Sequence, residues 1–180
     1  MRRQWNSLVH QLMHRAPLAL DWRSVRTVRV LRGHTQPVTS CVFAPDGSTL
    51  VTTSNDMTAR VWGTRDWSHL HTLTGHTQYV TSCVFAPDGN TLVTISRDMT
   101  ARVWCTSDWS HLHTLTGHTS FVLSCAFAPD GGTLVTTSVD NTTRVWCTRD
   151  RSHLHTLTGH TNWVRSCAFA PDGHAHHHLL

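Results

Sequence analysis

The chain has 180 residues, enough for one well-buried domain or at most two small ones. Charged residues make up only 14%, and the 15 cationic residues are all arginine and the 11 acidic ones all aspartate; without Lys and Glu, the usual helix-surface residues, a mainly helical protein is disfavoured. Thr, Val, Ser and Trp, which favour strands and turns, are plentiful, and no apolar run approaches the roughly 18 residues of a membrane-spanning helix.

In chain order, residues 1–24 come first as a separate segment. Two arginines followed by apolar residues suggest a secretory leader. His10, Gln11, His14 and Arg15 interrupt its apolar stretch, however, and no small-residue cleavage site follows. Trp5, Leu8, Val9, Leu12 and Met13 recur at helical spacing, which predicts a short amphipathic helix stopping before Pro17. Such a helix is marginal alone. It is expected to dock on the folded body or to be disordered, the alternative being contact with a partner or a membrane surface. Arg23, Arg26, Arg29 and Arg32 then form a basic stripe of the kind that binds phosphate.

From residue 33 the chain repeats itself. Gly-His recurs at Gly33-His34, Gly75-His76, Gly117-His118 and Gly159-His160, 42 residues apart each time. Pro-Asp-Gly starts at Pro45, Pro87, Pro129 and Pro171 with the same period. Val-Trp falls at Val61-Trp62, Val103-Trp104 and Val145-Trp146. The first two units differ at six of 42 positions and the second and third at eleven, so the units descend from a recent duplication.

Each unit reads as four short strands. In the first unit, residues 38–44 form one strand. Pro45-Asp46-Gly47 turns the chain, because Pro presets φ and Gly accepts a positive φ. Residues 49–54 are a β-branched second strand, Asn55-Asp56 a turn, residues 58–62 a third strand and residues 69–73 a fourth. Matching Leu31-Arg32-Gly33 to Leu73-Thr74-Gly75 makes residues 27–32 a further strand of the fourth type. Alternate arginines there are expected to face solvent. Residues 163–169 are a further strand of the first type. Four strands per unit, repeated in register, predict stacked antiparallel sheets.

These residues resemble the WD-repeat β-propeller family, over about residues 25–173. A period of this length with Gly-His and Trp signatures marks that family. The Asp that follows the Trp in the family's name is replaced by Gly63, Cys105 and Cys147. The resemblance implies an all-β propeller segment of about three and a half four-stranded blades: repeats 33–74, 75–116 and 117–158, with a partial one over 159–173. A His-rich tail, 174–180, follows.

Each full repeat holds a His, a Ser, an Asp and a Trp at fixed spacing: His34, Ser54, Asp56 and Trp62; His76, Ser96, Asp98 and Trp104; His118, Ser138, Asp140 and Trp146. A Ser-His-Asp set suggests nucleophilic catalysis. Its repetition in every sheet argues for a structural role instead, since one site needs one triad. The resemblance implies a buried relay in each blade, with Asp holding His, His holding Ser and Ser holding the Trp indole N–H. No catalytic residue is expected, and no cofactor.

The pairs His69/His71, His111/His113 and His153/His155 each share a strand face and could offer two nitrogens to a metal. No further ligands accompany them, so no metal site is expected. Cys41, Cys83, Cys125 and Cys167 occupy one mid-strand position in successive repeats, as small hydrophobes. Unpaired cysteines point to a reducing, cytoplasmic setting.

Between near-identical copies, the columns that change are informative. One holds Pro37, Tyr79, Phe121 and Trp163. A second holds Thr39, Thr81, Leu123 and Arg165, and a third Asn55, Arg97 and Val139. In the family these regions emerge on one face around the central channel. Aromatic and Arg residues are the types that dominate interface energetics. Pro37, Asn55, Tyr79, Arg97, Phe121, Trp163 and Arg165 are therefore the expected contacts for a protein partner. The alternatives are an arginine-mediated nucleic-acid or phosphate module and a non-functional truncated copy of a larger WD-repeat protein. A propeller closes with about four to eight blades, so further blades or self-association are expected to complete it.

Overall fold

The structure, a computed structural model, describes residues 29–170. The chain divides between Leu31 and Arg32, and the fold concerns the unit after that division. The expected N-terminal helix and the His-rich tail lie outside the described residues.

Among the described residues, twelve strands form three sheets of four. The first blade is β1 (Val38–Phe43), β2 (Thr49–Ser54), β3 (Ala59–Gly63) and β4 (His69–Leu73). The second is β5 (Val80–Phe85), β6 (Thr91–Ser96), β7 (Ala101–Cys105) and β8 (His111–Leu115). The third is β9 (Val122–Phe127), β10 (Thr133–Ser138), β11 (Thr143–Cys147) and β12 (His153–Leu157). Each sheet is an antiparallel meander with strands paired in chain order. Among the described residues there is no helix.

Aspartate builds the turns. Each described aspartate accepts the backbone N–H two residues on: Asp46 from Ser48, Asp56 from Thr58 and Asp66 from Ser68, with the same bonds in the later blades. This is the Asx turn, which a carboxylate one methylene from Cα can close. Glu sets its carboxylate one methylene further out. In the turns after the second and third strands, the residue following Asp is left-handed: Met57 has φ 68° and Trp67 φ 61°. The absence of Glu thus has a structural counterpart in a fold made of short aspartate turns.

The core lies in the seams between blades. Val51, Ala59, Val61 and Leu73 of the first blade pack on Cys83, Phe85, Leu92 and Trp104 of the second. Val93, Ile95, Ala101, Val103 and Leu115 repeat that packing on Val122, Leu134 and Trp146. Inner strands also bond across seams: the Thr39 hydroxyl donates to Val80 O at 2.6 Å and that of Thr81 to Val122 O at 2.9 Å.

Two expected strands are not present among the described residues. Residues 29–32 of the fourth-type strand and residues 163–169 of the first-type strand lie outside any ladder. Among the described residues, neither has a strand of its own blade beside it. Described residues after 160 meet the third blade through the Val164 N–H, which donates to Ser138 O at 3.1 Å, and through Cys167 Sγ, 3.9 Å from the Ser124 hydroxyl. The third strand also starts one residue later than expected, because the Asp56 carboxylate holds Thr58 in the turn.

The first blade has one bare face. Val38 is 55% exposed where its counterpart Val80 is fully buried, and Phe43 is 46% exposed where Phe85 is 7% exposed. These β1 side chains are of the type that fills a seam in the next two blades.

Candidate interaction face

At one end of the blades, the loop before each first strand meets the turn after each second strand. The Asn55 N–H donates to Pro37 O, Arg97 N–H to Tyr79 O and Val139 N–H to Phe121 O, each at 3.0 Å. Two of the three variable columns are therefore hydrogen-bonded neighbours within every blade. Each pair sits where a first strand begins, so all three share one end of the stack.

The side chains join neighbouring blades. The Arg97 guanidinium carbon lies 5.4 Å from the Tyr79 ring centre and 5.5 Å from that of Phe121. One cation is thus held between a ring of its own blade and a ring of the next, an arrangement attractive through both ring quadrupoles. Arg165 repeats half of it, 5.3 Å above the Trp163 ring. Tyr79, Phe121, Trp163 and Arg97 are all exposed. Pro37 is exposed and Asn55 half-buried, without a ring or cation of this kind. The remaining column serves the fold in its first two members, Thr39 and Thr81, whose hydroxyls make the bonds across the seams.

Beneath this face each blade has a buried polar chain, and one expected member is wrong. His34 Nδ1 meets Asp56 Oδ2 at 2.7 Å, as His76 meets Asp98 and His118 meets Asp140. His34 Nε2 lies 2.9 Å from the Thr52 hydroxyl, and the Trp62 indole N–H donates to that same oxygen at 2.9 Å. Thr94 and Thr136 do the same in the later blades. The third member is threonine, not Ser54, Ser96 or Ser138. Register explains this. Trp62 pairs with Leu50, so Thr52 is its diagonal neighbour, at about 7 Å. Ser54 lies four residues from Leu50, about 13 Å along the strand.

The serine has another task at the same corner. Ser54 Oγ donates to Gln36 O and accepts the Asp56 N–H. It pins the loop after Gly-His to the second turn. The signal for threonine was present in Thr52, Thr94 and Thr136, each on the same strand face as the serine two residues on.

An indole N–H only donates, so the Thr52 oxygen accepts from Trp62 and stands between the indole and His34 Nε2, while His34 Nδ1 faces the Asp56 carboxylate. Burial pushes the Asp56 carboxyl up, but donors from Thr58, His34 and the Thr35 backbone prevail and hold it near 2. Asp140 is held near 2 by the matching donors, and Asp98 is also lowered. Burial lowers the His118 pKa against the opposing pull of Asp140.

No group of three or more His, Cys or Asp side chains placed to hold a metal occurs among the described residues. His69, His111 and His153 instead set their rings edge-on to Trp62, Trp104 and Trp146, with centroids 5.3 Å apart. The six cysteines are free.

The profile of the family described as "WD domain, G-beta repeat" matches residues 25–63, 67–105, 109–147 and 151–175. The chain belongs to the WD-repeat family. Solved WD-repeat structures share its fold. That titled "Structure of U3-55K" superposes with a TM-score of 0.74 at 30% identity, over 77% of this chain and 44% of that one. The RRP9 WD40 repeats give 0.74 at 31% identity, over 77% of this chain and 43% of that one. Transcription initiation factor TFIID subunit 5 of Drosophila melanogaster is 47% identical over 49 residues, 27% of this chain and 7% of that protein. Dynein assembly factor with WD repeat domains 1 of Xenopus laevis is 40% identical over 52 residues, 29% of this chain and 12% of that protein. This WD-repeat chain therefore spans less than half of each of these relatives.

Proposed function

We propose that this WD-repeat chain is a non-enzymatic scaffold that docks a protein partner on the face bearing Pro37, Asn55, Tyr79, Arg97, Phe121, Trp163 and Arg165. The observation that carries this reading is Arg97 stacked between Tyr79 and Phe121. A guanidinium held by two rings has surrendered rotamer freedom before a partner arrives, so less entropy is lost on contact. Its N–H edge is left to meet carboxylates or carbonyls, and exposed rings beside it supply apolar area. Of two relatives, one is named as a subunit of a transcription initiation factor and the other as a dynein assembly factor. The His-Asp pair recurs in every blade with threonine as its third member, which favours a structural role over catalysis. The bare face of the first blade favours completion by further blades or a second copy, and the free thiols favour the cytoplasm.

Affinity capture with cross-linking tests the reading, using the wild type, Arg97→Ala, Tyr79→Ala and an outer-strand control, His155→Ala. The expected result is a protein retained by the wild type and His155→Ala and lost by about tenfold or more in Arg97→Ala. A partner that survives both face substitutions sinks the proposal. Capture that a nuclease abolishes, with a steep salt dependence, favours the phosphate-binding alternative.

A further inference from the structure

The Arg97 face lies where the first strands begin. Where they end, at the Pro-Asp-Gly turns, the first seam opens into a groove with about 530 Å³ of water-accessible space. The first blade lines it with Asp46 and Ser48, and the second with Phe85, Asp88, Asn90 and Trp109. The ring of Trp109 is held in place before any ligand arrives. It stands in the turn between β7 and β8, 6.5 Å from the Phe85 ring, edge to face, and 6.4 Å from that of His71. Phe85 is buried and Trp109 half-buried.

The two carboxylates of the groove are exposed and lack a cation. Asp46 accepts the Ser48 N–H, and Asp88 accepts the N–H and side-chain amide of Asn90. Among the described residues no arginine pairs with either, and each carboxylate oxygen has a second lone pair to offer. The second seam supplies the contrast. There Arg151 stands in place of Trp109 and Gly132 in place of Asn90. The counterpart space, lined by Thr91, Phe127, Thr148 and Arg151, has only about 40 Å³. Room, an indole and two unpaired carboxylates thus coincide over the first seam, whereas the second carries a cation of its own.

We propose that this groove binds an arginine side chain of a protein partner. The guanidinium lies against the Trp109 indole, the ring that attracts a cation most strongly, and its N–H groups donate to Asp46 and Asp88. A planar fork of donors suits a flat ring and two carboxylates better than the compact ammonium of lysine does. The groove and the Arg97 face lie at opposite ends of the blades, so neither site depends on the other.

The test uses the full chain, the indole N–H resonances and the capped peptide Gly-Arg-Gly as the probe, with its lysine and citrulline counterparts for comparison. A saturable shift is expected at Trp109, with a Kd on the order of 1 mM. Trp67 stands in the matching turn of the first blade, with the like φ of 61° against 60°, and should stay still. The citrulline peptide keeps the shape without the charge and should bind about fivefold more weakly or worse. Asp46→Asn combined with Asp88→Asn should weaken the arginine peptide by a similar factor, because asparagine closes the same turns without the charge. Trp109→Arg should abolish binding, and it folds because Arg151 already occupies the matching turn of the third blade. The proposal is overturned if the Trp109 resonance stays still at about 10 mM probe, if Trp67 responds alike, if the lysine or citrulline peptide binds as tightly, or if Trp109→Arg binds as the wild type does.

Discussion

Thr137 and Thr143 face one another across β10 and β11, and both hydroxyls are buried without a hydrogen-bond partner. The other blades show how this arises. In the first, Thr53 stands where Thr137 stands, and its hydroxyl meets that of Thr39 at 2.8 Å, opposite an alanine, Ala59. In the second the residue is Ile95, opposite Ala101, and there is no hydroxyl to satisfy. The third blade has kept the threonine while Leu123 has replaced its partner.

The first prediction follows from that orphan pair. A buried hydroxyl without a partner costs about 1–3 kcal/mol. Thr137→Val removes it at nearly constant shape, and Thr143→Ala restores the residue of the other blades. Each is expected to raise unfolding stability by about 1 kcal/mol, read as a higher urea midpoint at unchanged slope. Leu123→Thr should recover part of the same gain by supplying the missing partner. A lower midpoint for Thr137→Val would show that the hydroxyl is satisfied after all.

The second prediction separates threonine from serine in the buried chain. Thr94→Val leaves both the Trp104 indole N–H and His76 Nε2 without their shared oxygen. The expected loss is about 2–4 kcal/mol, as for two stranded polar groups. Ser96→Ala breaks the bonds to Gln78 O and Asp98 N–H and is expected to cost about 1 kcal/mol. Proton NMR of the indole N–H checks the assignment. The Trp104 resonance should move and exchange faster in Thr94→Val and stay in place in Ser96→Ala.

The fold was legible because its period is written in near-identical copies, and because Asp, Gly and Pro punctuate every strand. The four strands per blade follow from those marks alone. Two things were not legible. Residues 27–32 and 163–169 carry strand-forming sequences, but a strand is a pairing, and pairing depends on a neighbour that local sequence does not name. The choice of Thr52 over Ser54 depends on register, set when Trp62 pairs with Leu50. Composition could not order two hydroxyls on one strand face. At the face, column variation singled out positions 79 and 97 without showing that the Arg97 side chain also reaches the ring of the next blade.

The third prediction concerns the glycine before each histidine. Gly75 and Gly159 share a left-handed φ, 125° and 124°. A Cβ on Gly75 would collide with the Arg102 guanidinium, Nη1 lying 2.6 Å away, whereas nothing lies near one on Gly159. Alanine at either position carries the cost of positive φ, about 1 kcal/mol or more. Only Gly75→Ala must also displace the arginine, whose flexible end can swing away. Gly75→Ala should therefore be the more destabilising by less than about 1 kcal/mol. Arg102→Ala in the Gly75→Ala background should erase that difference, as a double-mutant cycle would reveal. Additive effects would mean that the stacking of Arg102 on the glycine is energetically idle.

The fourth prediction is the acid limb of stability. Asp56 and Asp140 are held near 2 in the folded chain, against about 3.9 for an unperturbed aspartate. A depressed carboxyl contributes stability above its unfolded pKa and loses it as pH falls through the folded value. His118 acts in the same direction: its folded pKa is lowered by burial, so the unfolded chain takes up the proton first and stability falls as pH drops below about 6.5. Melting temperature should be flat above about pH 7, decline gently below about 6.5, and fall steeply between about 4 and 2. Asp56→Asn should remove part of the steep fall while lowering stability at neutral pH. A melting temperature that rises on acidification from neutral would refute both assignments.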